Sequence, residues 1–188
     1  MNFLDKTLKG LDGLALRLVW IGGALLILAA MIVTVDVILR KLFGISMAGS
    51  DELSGYAFGI ATSLSLTYAL LHRSNIRVDA LYQHLPEWLR CALDIVGNIM
   101  LISFIGYVTW RASLLVGDTY ANQSRSISPL QTPLAIPQTA WLAGLVLFVV
   151  TGVVMTISSL ISFIKRDWTA VQQMFGIKSL DEQIEEES

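Results

Sequence analysis

The sequence predicts an all-α membrane protein with four transmembrane helices. Apolar residues make up 54% of the 188-residue chain and charged residues only 15%, and the mean hydropathy is +0.64. Uncharged apolar stretches occur at residues 18–35, 53–71, 95–110 and 138–164. A hydrocarbon core about 30 Å thick takes roughly 20 helical residues to cross, and a helix satisfies its own backbone polar groups there. We therefore predict one membrane domain over residues 18–165, with spans at about 18–39, 52–71, 89–114 and 137–164.

Residues 1–17, which precede the first span, have an amphipathic pattern. Leu4, Leu8 and Leu11 recur at helical spacing, whereas the charged residues of this segment occupy other faces. The pattern predicts either an interfacial helix on the cytoplasmic surface or a helical extension of the first span. A cleaved signal peptide is disfavoured, because the apolar stretch is longer than an ordinary h-region and no small-x-small cleavage site follows it.

The second span begins with an acidic pair and carries a face of small residues. Asp51 and Glu52 fall in its first turn, where carboxylates stabilise the positive end of the helix dipole. Gly55, Gly59 and Ser63 recur every four residues, so one helix face has almost no side chain and another backbone can approach it closely. We predict that this face packs either against a helix of a partner or within the four-helix unit.

The third apolar stretch is the shortest, and Asp94 and Arg111 lie at its ends. It crosses the membrane if both side chains extend towards the headgroups, and a buried helix of a soluble protein is the alternative for this segment. The preceding run 81–92 is a second candidate for an interfacial amphipathic helix, or for an extension of the neighbouring span. Pro86 marks a break or a helix start within that run.

Prolines shape the segment before the fourth span. Pro129, Pro133 and Pro137 lack backbone donors, so the region preceding Pro137 cannot form a plain helix. Pro137 itself suits the first turn of the helix that follows. We predict a loop over residues 117–136, long enough to be a contact surface.

Lysine and arginine residues are distributed unevenly between the two sides of the membrane. With the N-terminus in the cytoplasm, the cytoplasmic side receives Lys6, Lys9, Arg17, Arg73, Arg77, Arg90, Lys165, Arg166 and Lys178. The opposite side receives only Arg40, Lys41, Arg111 and Arg125. This positive-inside bias predicts that both termini are cytoplasmic, with residues 166–188 as a cytoplasmic tail.

The sequence has no evident catalytic or metal-binding constellation at membrane depth. The single cysteine, Cys91, excludes an internal disulfide and any Cys-x-x-Cys motif. The two histidines, His72 and His84, fall in the cytoplasmic connection, which excludes bis-histidine haem ligation within the bilayer. No Ser/His/Asp set and no glycine-rich phosphate loop is present. We therefore predict that the chain is not an enzyme and uses neither a cofactor nor a metal ion.

Asp36, at the outer end of the first span, is open to two interpretations. Arg40 follows four residues later, in the favourable acid-first order for a helical ion pair. A proton- or cation-coupling carboxylate is the alternative role. Discontinuous helices and internal repeats, which usually mark a transport site at the midplane, are absent from the sequence.

Three short motifs follow one another along the chain. They are Asp51-Glu52-Leu53-Ser54-Gly55-Tyr56-Ala57-Phe58, Ser74-Asn75-Ile76-Arg77-Val78-Asp79-Ala80-Leu81, and Leu134-Ala135-Ile136-Pro137 leading into Trp141. In order, spacing and four-span layout the chain resembles the small (Q-type) membrane subunit of tripartite ATP-independent periplasmic (TRAP) transporters over roughly residues 15–165. It departs from that family at Ser74 and Asn75, where a glycine-histidine pair is usual. The motif residues carried over are Asp51, Glu52, Tyr56, Arg77, Asp79 and Pro137.

The resemblance implies a scaffold role in a bacterial inner membrane. A subunit of this kind associates with a large multi-span subunit, which carries the substrate and sodium sites. A soluble periplasmic binding protein delivers an organic acid to that large subunit. The small subunit is expected to brace the large one and to help dock the binding protein, with membrane lipids as further partners and no nucleic acid.

Further charged residues take expected roles from this placement. Arg40, Lys41 and Arg125 on the periplasmic side are predicted to attract lipid headgroups or an acidic patch of the binding protein. Arg77 and Asp79 are predicted either to fix the cytoplasmic connection through a local pair or to lie in a solvated loop. A self-sufficient small exporter acting as a homodimer is the alternative function and requires a coupling carboxylate in the first span. A membrane-bound enzyme or redox anchor is a third hypothesis. It requires a cofactor or a catalytic cluster, which the chain does not supply.

Overall fold

The structure, a computed structural model, describes residues 3–73 and 85–175. In this part the chain forms α-helices joined by loops and contains no β-strand. The helices are α1 (Phe3–Phe43), α2 (Ser50–Leu71), α3 (Glu87–Ala121), α4 (Ala135–Ile164) and α5 (Trp168–Phe175). The predicted all-α class is confirmed. Of the predicted run 81–92, residues 81–84 lie outside the described residues, and α3 begins directly after Pro86.

Three of the described helices are long and apolar enough to cross a membrane. The corresponding segments are Lys6–Phe43, Glu87–Ala121 and Ala135–Ile164. With 22 residues α2 is long enough as well, but it is less apolar, because an acidic pair occupies its first turn and hydroxyl side chains are spread along it. Length and composition therefore support three spans, and a fourth depends on where α2 lies among them.

The first helix continues without a break from Phe3 to Phe43. No proline interrupts it, Leu8 packs against the apolar core, and Ala15 is fully buried. In the structure residues 3–17 are thus continuous with the helix that contains the first apolar stretch.

The four long helices pack side by side in the order α1, α2, α4, α3. Ser63 of α2 meets Gly144 of α4, and Leu70 meets Gly152 further along, so α2 and α4 run in the same direction. The short helix α5 contacts α3 and α4. We call the end of the bundle that carries the loops 44–49 and 122–134 the turn end, and the opposite end the α5 end.

Small residues allow the helices on either side of α2 to approach closely. A Cβ atom added at Gly144 would lie 2.6 Å from Ser63 Oγ and 2.7 Å from the carbonyl carbon of Ser63. A Cβ atom added at Gly22 of α1 would lie 3.2 Å from the Cα atom of Ala61. Such backbone contacts are how helices associate in lipid, where the hydrophobic effect provides no drive between them.

The contact between α3 and α4 combines a hydrogen bond with close packing. Asn98 Nδ2 donates to Thr156 Oγ1 at 2.8 Å, and a Cβ atom added at Gly152 would lie 2.6 Å from Ile102 Cγ1. The two contacts lie one turn apart on each helix and fix an antiparallel register. An interhelical hydrogen bond of this kind contributes about 1 kcal/mol in a membrane.

The main cluster of buried apolar residues lies at the α5 end. It comprises Leu70, Cys91, Ile95, Phe148, Met155, Val171 and Phe175. Cys91 Sγ lies 3.7 Å from the carbonyl oxygen of Trp168, and the rings of Phe163 and Trp168 meet edge to face at 5.1 Å. Helix α5 therefore lies against the cysteine, and its Val171 and Phe175 belong to the same buried cluster.

Because Cys91 is the single cysteine, its reactivity reports on whether α5 stays docked. We expect Phe175→Ala to raise the rate at which a maleimide modifies Cys91 by about tenfold, because the lost apolar contacts favour local opening of α5. Phe104→Ala, which truncates a Phe that is 64% exposed on α3, is the matched control and should leave the rate unchanged. Equal rates in both variants would contradict the packing of α5 against the cysteine.

The predicted loop over 117–136 is shorter in the structure. The last turns of α3 contain no proline, so the helix continues to Ala121, and Gln123 then takes a left-handed conformation with φ of 47°. The next helix begins at Ala135 and holds Pro137 in its first turn, where the missing N–H group needs no partner.

Candidate functional site

A groove of about 290 Å³ opens between α2 and α4 in the half of the bundle near the turn end. Its lining residues are Gly55, Tyr56, Gly59, Ile60, Leu115, Pro137, Gln138 and Trp141. The groove is there because α4 separates α2 from α3, and because the two glycines leave the α2 side without side-chain volume. Its lining is mostly apolar and carries no formal charge.

Gly55 and Gly59 leave room for an added carbon atom. A Cβ atom added at either position meets no atom within 4 Å outside its own helix turn. The small-residue face predicted for α2 is therefore divided in the structure. Ser63 is 1% exposed and packs on Gly144 inside the chain, whereas the two glycines face open space.

Gln138 gives the groove a polar character at one point. Its Oε1 atom is buried and has no hydrogen-bond partner in the part of the chain that the structure describes. A buried acceptor without a donor costs roughly 1 to 3 kcal/mol.

At the turn end, the carboxylate of Asp36 accepts hydrogen bonds from the loop between α1 and α2. Asp36 is 1% exposed and accepts hydrogen bonds from Met47 N at 2.5 Å, Ser50 Oγ at 2.9 Å and Ser46 Oγ at 3.3 Å. Arg40 donates to it as well and forms the ion pair predicted from the sequence. A buried carboxylate is tolerated only when donors surround it in this way.

A second carboxylate joins α2 to the loop 122–134. Glu52 Oε1 accepts a hydrogen bond from Tyr56 OH at 2.7 Å, and Glu52 Oε2 accepts one from Ser128 Oγ. Beside this contact, Gly49 packs on the side chain of Leu130, with a φ of 107° that favours glycine. The two loops of the turn end therefore touch each other.

The loop 122–134 is internally hydrogen-bonded and presents an apolar tip. Ser126 N donates to Thr132 O at 3.0 Å, and Leu134 N donates to Ser124 O at 3.1 Å. Ile127 at the tip is fully exposed.

The remaining residues singled out from the sequence are dispersed. Lys41 and Arg125 are exposed at the turn end, and Arg125 Nη1 donates to the backbone oxygen of Gln131 at 3.3 Å. Asp51 is exposed in the first turn of α2. Arg77 and Asp79 lie outside the described residues. Within the described ranges no group of three or more His, Cys, Asp and Glu side chains is arranged to hold a metal ion.

Sequence reasoning found Arg40 as a partner of Asp36 but missed the other partners of both carboxylates. Glu52 and Ser128 are 76 positions apart, and no local pattern links them. Ser46 and Ser50 follow Asp36 by 10 and 14 positions. Their hydroxyl groups are the one sequence feature that could have indicated hydrogen bonds to this carboxylate.

The fold and these contacts define an all-α membrane protein. At its turn end, two carboxylates bind the loops 44–49 and 122–134 to the helices. Comparison with known proteins agrees with that class. A family model described as "Tripartite ATP-independent periplasmic transporters, DctQ component" matches residues 29–162. The chain is also 27% identical over 122 residues to a protein of Haemophilus influenzae named provisionally as a TRAP transporter small permease protein. That match covers 65% of this chain and 68% of the relative.

Because the family model matches well over half of the chain, the protein belongs to the DctQ component family of TRAP transporters. The resemblance inferred from the three sequence motifs is confirmed. The family is a transporter component, and the three apolar helices agree with a place in a membrane.

Proposed function

We propose that the protein is the scaffold subunit of a sodium-coupled secondary transporter that imports an organic acid with the help of a binding protein. In this role it braces a large transport subunit in the bacterial inner membrane and helps to dock the periplasmic binding protein. The observation that carries the proposal is the open groove lined by Gly55 and Gly59, since a helix of the large subunit can approach the backbone of α2 there.

The proposal includes α2 as a fourth span. α2 packs between α1 and α4, both of which are long and apolar enough to cross a membrane. Ala61 and Ser63 meet glycines of those two neighbours, so α2 lies at the same depth as they do. With four spans and the bias of lysine and arginine, the termini are cytoplasmic and the turn end faces the periplasm.

The hydrogen bonds of Asp36 favour a scaffold over a self-sufficient exporter. An exporter needs a carboxylate that can bind and release a proton or a cation. Asp36 instead accepts hydrogen bonds from two serines, a backbone N–H group and Arg40. In a scaffold subunit the coupling chemistry belongs to the large subunit. Asp36 can then have a structural role as the acceptor that holds the loop between α1 and α2.

The groove also specifies what the large subunit has to provide. A helix of that subunit would place apolar side chains over Gly55 and Gly59, in keeping with the mostly apolar lining. Arg40, Lys41 and Arg125 at the turn end are proposed to attract lipid headgroups or an acidic patch of the binding protein, in the case of Arg40 in addition to its ion pair with Asp36. Recognition of the organic acid then lies with the partners.

Reconstitution of the transporter tests this function directly. The protein is co-expressed with a candidate large membrane subunit and a candidate secreted binding protein from the same organism, and a panel of labelled carboxylates is offered to proteoliposomes. We expect uptake only with all three proteins and an inward sodium gradient. Accumulation by this protein alone would establish the exporter instead, and uptake that persists without it would refute the scaffold.

A further inference from the structure

Each loop of the turn end is tied to the helices by one carboxylate. Asp36 at the end of α1 holds Ser46 and Met47 of the loop 44–49. Glu52 in the first turn of α2 holds Ser128 of the loop 122–134. Asp36 accepts hydrogen bonds from two groups of its loop, whereas Glu52 accepts one from Ser128 of its loop and one from Tyr56, which holds the carboxylate in place on α2.

We call the hydrogen bonds of Asp36 to the loop 44–49 and that of Glu52 to the loop 122–134 the two clasps. They hold segments that lie next to each other. Asp36 also accepts from Ser50 Oγ, and Ser50 is the first residue of α2, so this carboxylate fixes the start of the helix that carries Glu52. Gly49 packs directly on Leu130, which brings the two loops into contact. Loosening either carboxylate is therefore expected to disturb the surface that the two loops form together.

Preorganisation makes such a surface useful for binding. A loop that is already ordered pays less conformational entropy when a partner docks, which strengthens binding without any new contact. The exposed side chains in these loops include Ile45, which is 62% exposed, and the fully exposed Ile127. Neither carboxylate needs to touch the partner in order to affect its affinity.

We propose that Asp36 and Glu52 are positioning residues that hold the two loops of the turn end as one preformed surface for the binding protein. The identity of the docked partner rests on the proposed function, whereas the clasp itself does not. The ion pair of Asp36 with Arg40 is then one of several contacts that fix the loop 44–49. Glu52 connects α2 to the loop 122–134.

The kinetic test uses the complete transporter with increasing concentrations of loaded binding protein. Asp36→Asn and Glu52→Gln keep the size of each side chain but replace one acceptor oxygen by a donor group. We expect each to raise the KM for the loaded binding protein about fivefold while the maximal rate stays within about a factor of two. Asp118→Asn removes an exposed carboxylate at the same end of the bundle and is the matched control, with no change expected.

The outcomes separate the proposal from other roles of the carboxylates. A fall in maximal rate at unchanged KM would indicate coupling, and loss of the large subunit during purification would indicate a purely structural role. Either result, or an unchanged KM, overturns the proposal. If wild-type uptake does not depend on the binding protein at all, it is the proposed function that fails.

A distance measurement tests the clasps without any partner. Spin labels are placed at Ile45→Cys and Ile127→Cys in the full chain in lipid nanodiscs, with Cys91→Ala to remove the native thiol. We expect one narrow distance distribution in the otherwise unchanged chain and with Asp118→Asn, and a broadened one with Asp36→Asn or Glu52→Gln. The same narrow distribution in all four proteins would show that the carboxylates do not hold the loops.

Discussion

Gly144→Ala is expected to destabilise the protein by about 2 kcal/mol, although it adds a single methyl group. The new Cβ atom would lie 2.6 Å from Ser63 Oγ, 2.7 Å from the carbonyl carbon of Ser63 and 2.9 Å from Leu64 N. Two of these atoms belong to the backbone of α2 and cannot rotate away. The helices α2 and α4 must therefore separate along their common interface, which loosens the centre of the helix row.

The thermal midpoint of unfolding of the purified chain in detergent micelles measures this effect. Gly106→Ala on α3 is the matched control, because no atom lies within 4 Å of the Cβ atom it would add. Its midpoint should stay the same or rise slightly, since alanine favours helix over glycine. A Gly144→Ala midpoint equal to that of the control would contradict the close contact between α2 and α4.

The helical class and the apolar spans could be predicted from the sequence because both depend on local composition. The order of the helices depends on contacts between distant residues. Nothing near Ser63 in the sequence indicates that it meets Gly144, and nothing near Gly22 indicates Ala61. Small residues in a sequence indicate that another helix can pack closely on that face. They do not indicate which helix it is.

The candidate site was predictable to a similar extent. The ion pair of Asp36 with Arg40 followed from their spacing on one helix. The bond between Glu52 and Ser128 did not, because it closes a loop of 76 positions and its partner is one of several serines in a proline-rich segment. The two glycines on the α2 side of the groove were predicted as a packing face, but its other walls were not, since they require the knowledge that α4 lies between α2 and α3.

Replacing both glycines of the groove should separate folding from assembly. In Gly55→Leu combined with Gly59→Leu, the new Cβ atoms meet no atom of the described chain within 4 Å, and the outer atoms of both side chains have the open groove to occupy. We therefore expect the chain itself to fold with an unchanged thermal midpoint. The same side chains fill the groove that we assign to the large subunit. We therefore expect the amount of large subunit that copurifies with the protein to fall about tenfold or more, the effect of losing roughly 1.4 kcal/mol.

Gly23→Leu provides the matched control for this experiment. It makes the same change on α1, which lies on the far side of α2 from α4, at a position where a Cβ atom also meets nothing within 4 Å. Copurification should then stay at the wild-type level. If the double variant keeps its large subunit, the groove is not the assembly surface, and if Gly23→Leu loses it instead, the large subunit packs on α1. A lower thermal midpoint in the double variant alone would mean that α2 uses these glycines inside the chain, and the brace would have to be sought on another helix face.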